Sequence, residues 1–103
     1  MKTRVVNFKK EAHTFYIGRK RNNKFHFGNP FEMGKGRDGS RKEVIDKFER
    51  WLDGDPGFKH IEPERRKYIL TNLHLLKGET LGCFCKPLAC HGDIYVKMLE
   101  EIE

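Results

Sequence analysis

Residues 80–99 restrict the fold more tightly than any other stretch of this chain. Thr80-Leu81-Gly82-Cys83-Phe84-Cys85 is a short, largely apolar run that reads as a strand buried on at least one face. Pro87 prevents the ladder from continuing and opens a short loop. Ile94, Tyr95, Met98, Leu99 and Ile102 then recur at helical spacing. A strand, a short loop and an amphipathic helix make half of an α/β unit, and ligands of such sheets gather at the carboxyl ends of the strands.

The rest of the chain fits that start. Val5-Val6 with Phe8 predicts a first short strand, with Asn7 at or near its end, and Phe15-Tyr16-Ile17 a second, ended by Gly18. Phe25 and Phe27, alternating around His26, predict a third and partly exposed strand. Residues 28–40 hold four glycines and one proline, the composition of a long functional loop. Ser40-Arg41-Lys42-Glu43 is a capping box that opens a helix with Val44, Ile45, Phe48, Trp51 and Leu52 on one face, and Gly54 ends it. Trp51 on that apolar stripe reads as core rather than as a stacking platform. Pro63 suits the first position of a second helix, with Ile69, Leu70, Leu73 and Leu76 on its stripe and Gly78 closing it. The order is strands, two helices, a strand and a helix. It implies one α/β domain over residues 1–103, a small Rossmann-like sheet with about three helices. An α+β fold with an N-terminal antiparallel hairpin is the alternative.

Hydrophobic residues make up 37% of the chain and charged residues 35%, so the core must be lean, yet 12% aromatic content is too much for a disordered tail. No apolar run approaches the roughly 20 residues that cross a bilayer, and the N-terminus lacks a signal-peptide apolar region, which predicts neither membrane insertion nor secretion. The net charge of +6 is unevenly placed. Residues 1–41 carry 11 Lys/Arg against three Asp/Glu, whereas residues 42–103 carry 10 against 12. A positive field confined to the first part favours an anionic partner such as a nucleotide or nucleic acid; simple solubility is the plainer explanation.

All three cysteines fall within Cys83-Phe84-Cys85-Lys86-Pro87-Leu88-Ala89-Cys90-His91-Gly92-Asp93. An odd number so closely spaced is no disulfide framework, and it points to reduced thiols in the cytoplasm. Three uses compete. Cys83, Cys85, Cys90 and His91 are the three-thiolate, one-imidazole set that zinc accepts, although four ligands so close in sequence need a contorted loop. Alternatively, Cys85 or Cys90 is a nucleophile with His91 or Asp93 moving the proton. On this reading Cys90 falls near a helix N-terminus, with Asp93 at the third helical position. The helix dipole there lowers a thiol pKa, while Gly92 leaves room for a close approach and free N–H groups hold an anion. Finally, buried cysteines pack as small hydrophobes.

Elsewhere, Pro30 holds Asn29 extended and would present its amide outward to a base edge, ribose or carbonyl, or simply make a turn. The run Gly34-Lys35-Gly36-Arg37-Asp38-Gly39-Ser40 lacks the order of a nucleotide-triphosphate loop, leaving looser phosphate contacts from Lys35, Arg37 or Arg41. His13, His26, His60 and His74 have no partner spacing that supports catalysis.

Several of these motifs recur together. Val5-Val6-Asn7, Tyr16-Ile17-Gly18-Arg19, Gly28-Asn29-Pro30-Phe31, Arg41 with Glu43-Val44-Ile45, Trp51-Leu52, and Leu81-Gly82-Cys83-Phe84-Cys85 with Pro87 and Cys90-His91-Gly92-Asp93 follow one another in that order. In this the chain resembles domain of unknown function 4326, a family of small proteins common in bacteriophages and bacteria, from about Arg4 to Leu99. Phe84 departs from the family pattern, where Trp is frequent, and residues 20–27 are longer and more basic. The strand–cysteine–loop–Cys-His–helix ending is also similar to that of domain of unknown function 488, a local likeness that supports the α/β reading of the C-terminal part. Neither resemblance implies a reaction.

The residues together lead to the expectation of a small domain that binds a nucleotide, nucleoside or nucleic-acid segment. Asn7, Arg19, Asn29, Arg41 and Gly92 would contact the ligand, and, were the domain an enzyme, Cys85, Cys90, His91 and Asp93 would act on it. A non-catalytic zinc module that binds nucleic acid or protein is the rival, and a phage-encoded binder of a host protein a third possibility.

Overall fold

The structure, a computed structural model, describes residues 2–18, 26–34, 36–83 and 85–102, except for the side chain of Ile102. Three strands, β1 (Arg4–Asn7), β2 (Phe15–Tyr16) and β3 (Thr80–Cys83), and three helices, α1 (Arg41–Leu52), α2 (Pro63–Asn72) and α3 (Gly92–Ile102), form a mixed α/β architecture. The sheet is parallel, with order β1-β3-β2. The N-terminal antiparallel hairpin is therefore not formed: β1 and β2 flank β3 and each runs parallel to it. β3 takes the centre, where both faces are covered: Leu81 and Cys83 on one face and Gly82 on the other are all buried.

Joining two strands that flank a third requires the chain to cross the sheet. Residues 8–14 do so over β3, a far shorter parallel connection than usual. Thr14 N–H and Oγ1 both donate to the Thr80 carbonyl, at 2.9 and 3.1 Å. The His13 ring lies over Gly82, 2.6 Å from where a Cβ at that position would sit. Gly82 is thus required by this close approach. Phe8 and Tyr16 close the same face, their ring centroids 5.2 Å apart.

The opposite face, carrying Val5, Phe15 and Leu81 in register, continues into the core. Ile17, Phe27, Phe48, Trp51, Ile69, Leu76, Leu81 and Tyr95 are almost wholly excluded from water. Burial of each large apolar side chain contributes about 1.5–3 kcal/mol. The capping box forms as expected: Glu43 N–H donates to Ser40 Oγ at 3.3 Å, and Ser40 N–H to Glu43 Oε1 at 3.1 Å. Val44, Phe48, Trp51 and Leu52 make the buried stripe of α1, and Trp51 Nε1 donates to the Ile61 carbonyl at 2.7 Å. At the other end of α1, Arg66 donates to the Trp51 and Leu52 carbonyls, each at 2.9 Å, placing a cation where the helix dipole favours one.

Two expectations are corrected. Phe27 is in no strand, and Phe25 lies outside the described residues. The Phe27 ring packs against Phe15, Tyr68 and Tyr95, and its carbonyl accepts from the Tyr95 hydroxyl and from His91, so a tertiary pocket takes the place of a ladder. Leu70 is 40% exposed, because only Ile69 in α2 turns inward and the buried row passes to Leu73 and Leu76 in the tighter turn Leu73–Leu76.

Candidate functional site

β3 stops at Cys83, and α3 begins at Gly92. The loop between them brings two sulfurs together: Cys83 Sγ and Cys90 Sγ are 3.3 Å apart, and both residues are 2% exposed. Cys90 precedes the helix by two residues, and its sulfur accepts the Gly92 N–H at 3.3 Å. Asp93 is the second helical residue rather than the third. Its carboxylate reaches back to the Cys90 N–H at 3.1 Å and pairs with Lys86 Nζ at 2.7 Å.

The two thiols are electrostatically unequal. Hydrogen bonding with the Cys90 sulfur lowers the Cys83 pKa, burial opposes this, and the N–H groups of Lys86 and Cys85 and the Lys86 charge add to it, bringing it from 9.0 to about 6. Cys90 moves the other way, raised by its bond to the Cys83 sulfur, by burial and by the Cys83 charge against the single Gly92 N–H. The expectation that the helix N-terminus ionises Cys90 is therefore reversed. Cys83 has two backbone donors and a lysine charge, Cys90 has one donor and a neighbouring carboxylate, and these surroundings favour ionisation of Cys83 over Cys90. Burial disfavours the Lys86 charge, but Asp93 and the thiols outweigh it and raise the Lys86 pKa.

His91, the residue before α3, is held by groups distant in the chain. Its Nε2 lies 2.8 Å from the Ile17 carbonyl oxygen and 3.0 Å from that of Phe27. Carbonyls only accept, so Nε2 carries the proton and Nδ1 keeps its lone pair. Burial lowers the His91 pKa from 6.5 to about 4 against the pull of the two carbonyls, and the ring is neutral at pH 7.

Cys83, Cys85, Cys90 and His91 line a cavity of about 470 Å³ at the carboxyl end of β3. Asn29, Phe31, Arg37, Arg41 and Val44 form its other side, with Met33, which is 49% exposed. Arg41 Nη1 donates to the Ala89 carbonyl at 3.2 Å, tying the start of α1 to the cysteine loop, and no carboxylate pairs with this guanidinium among the described residues. Arg37, by contrast, is paired with Glu32.

Cys85, Cys90, His91, Asn29 and Arg41 from the expected set are thus brought to one cavity. Asn29 does not present its amide outward as its place before Pro30 suggests. Nδ2 donates to the Val44 carbonyl at 3.1 Å and Oδ1 accepts the Phe31 N–H at 2.9 Å. Asn7, Gly92 and Asp93 are not on the cavity wall. Asn7 Nδ2 donates to the Lys86 carbonyl at 2.9 Å, fastening β1 to the cysteine loop. The group that approaches Gly92 is the Ile17 side chain, 2.6 Å from where a Cβ would sit, so this glycine serves packing. Arg19 and Lys35 lie outside the described residues. The zinc set does not assemble: among the described residues no group of three His, Cys, Asp or Glu side chains is placed to hold a metal, and His91 Nε2 is occupied by carbonyls. Gly18, Glu32, Met33 and Ile45 also line the cavity, although nothing in the sequence marked them as site residues.

Among the described residues no helix is long and apolar enough to cross a membrane. A family model described as domain of unknown function, DUF4326, matches residues 2–101. An uncharacterized 12.4 kDa protein in the nrdA-td intergenic region of Enterobacteria phage T4 is 34% identical over 69 residues, 62% of this chain and 53% of that protein. The chain thus spans about half the length of that curated relative. No solved structure matches. From residue 2 to residue 101, the chain belongs to the DUF4326 family.

Proposed function

We propose that the chain binds a nucleotide or nucleoside in the cavity at the carboxyl end of β3. The observation that carries this reading is Arg41, a cation with no acidic partner among the described residues, on the wall of a cavity of about 470 Å³ that also offers Phe31 and Val44 as apolar surface. That volume suits one small ligand. A guanidinium takes a phosphate and an aromatic wall takes a base. The bounded volume favours a mononucleotide over a nucleic-acid strand. We read the parallel sheet as a reduced Rossmann-like layer, whose ligands lie at the carboxyl ends of its strands. The thiols Cys83, Cys85 and Cys90 suit a reducing, cytoplasmic setting. For a reacting substrate, Cys83 is the sulfur that supplies the nucleophile, in place of Cys85 or Cys90, and His91 Nδ1 the proton acceptor.

Thermal unfolding of the full chain with nucleosides, nucleoside monophosphates and inorganic phosphate tests the reading. A nucleotide is expected to raise the Tm in proportion to its saturation, more than phosphate alone, and Arg41→Ala to lose most of the shift. No shift with any nucleoside or nucleotide, or an equal shift with phosphate, overturns it.

A further inference from the structure

Cys83 and Cys90 come from two different elements, the last position of β3 and the entry to α3, so the sheet and the helix together hold their sulfurs at 3.3 Å. Both line the cavity although little of either is exposed. The N–H groups of Cys85 and Lys86 and the positive charge of Lys86 favour the ionised form of Cys83. The Cys90 sulfur lies in hydrogen-bond contact with that of Cys83, at 3.3 Å. Cys85, also on the wall, bonds through its sulfur to neither of them. A donor-stabilised sulfur with a second thiol in contact is the arrangement of an attacking and a resolving cysteine. Sulfurs so little exposed favour a small oxidant over a protein disulfide.

We infer that Cys83 and Cys90 reduce a small hydroperoxide and close into an intramolecular disulfide, with Cys83 attacking and Cys90 resolving. The Cys83 thiolate forms a bond to one peroxide oxygen as the O–O bond breaks, and the departing hydroxide or alkoxide takes a proton from water. Cys83 is then a sulfenic acid. The Cys90 sulfur attacks it, the S–O bond breaks, and the Cys90 proton leaves with the hydroxyl as water. Two thiols lose two electrons, and the hydroperoxide becomes water and an alcohol, or two waters from hydrogen peroxide. The sulfurs must close from 3.3 Å to about 2.05 Å. The inference does not depend on the identity of any ligand in the cavity.

The test is to treat the reduced full chain with equimolar hydrogen peroxide, alkylate the remaining thiols and map the peptides by mass spectrometry. The expected product has lost two hydrogen atoms, carries a Cys83–Cys90 bridge, is alkylated only at Cys85, and returns to three free thiols with dithiothreitol. Cys85→Ser is expected to form the same bridge. Cys90→Ser is expected to stop at a sulfenic acid that dimedone traps on Cys83. A wild-type chain with all thiols still alkylatable, a bridge that includes Cys85 or a second molecule, or dimedone on Cys85 overturns the inference. The wild-type map decides the matter even where a variant folds poorly.

Discussion

The Tyr95 hydroxyl donates to the Phe27 carbonyl oxygen across 2.6 Å, and the same oxygen lies 3.0 Å from His91 Nε2. Tyr95 of α3 and His91 just before it thus hold a loop 64 to 68 residues earlier in the chain. Tyr95→Phe keeps the ring contacts with Phe27 and Phe48 and leaves the carbonyl its imidazole donor. We expect a loss of about 1 kcal/mol in urea denaturation with an unchanged m-value. A variant as stable as wild type would show that this bond contributes nothing net.

The same arrangement makes stability depend on pH. The His91 pKa is about 4 in the folded chain against 6.5 ordinarily, through burial, so between those values the unfolded state binds the extra proton. Stability is therefore complete above about pH 6.5 and falls as the pH drops toward 4, by roughly 2–3 kcal/mol for a shift of this size. Denaturation midpoints measured between pH 7 and pH 4 should show that slope, and it should flatten in His91→Gln. An identical slope in the variant assigns the effect to other groups.

Gly82 tests the crossing of β3 by residues 8–14. A Cβ at this position would meet the His13 ring at 2.6 Å, so Gly82→Ala should cost about 1–3 kcal/mol through overpacking. In a His13→Ala background the same substitution should cost clearly less, and a double-mutant cycle measures the difference. Additive effects would mean that the ring does not lie over the strand.

Arg41→Ala separates binding from folding. The bond to the Ala89 carbonyl is exposed, so its loss should lower stability by at most about 1 kcal/mol. Loss of a charge-assisted contact to phosphate should weaken nucleotide binding by about 1.5–3 kcal/mol, tenfold or more in Kd by calorimetry. A variant that binds normally removes Arg41 from the site.

Much of the candidate site was legible because its chemistry is concentrated in one stretch of chain. Cys85, Cys90 and His91 were singled out from their spacing, and they meet at the cavity with Cys83. Asp93, Gly92 and Asn7 carried equally suggestive residue types, yet their partners are Lys86 and the Cys90 N–H, the Ile17 side chain, and the Lys86 carbonyl. A polar or glycine residue beside reactive groups has the same local signature whether it faces a ligand or fastens a loop. Met33 and Gly18 carried no signature of a site, since lining a cavity imposes no local pattern.

By itself the sequence determined the elements, because capping and periodicity act within a turn or two. The Ser40–Glu43 box, the buried stripe of α1 and the strand–loop–helix run of residues 80–99 all follow from neighbours in the chain. The tertiary structure alone decided that β1 and β2 flank β3 in parallel, that Phe27 is core rather than strand, and that Cys83 rather than Cys90 is the readily ionised sulfur. The physical reason lies in range. Strand order, burial and proton placement depend on groups distant in sequence, as where His91 meets Ile17 across 74 residues, and no local pattern records which distant group arrives.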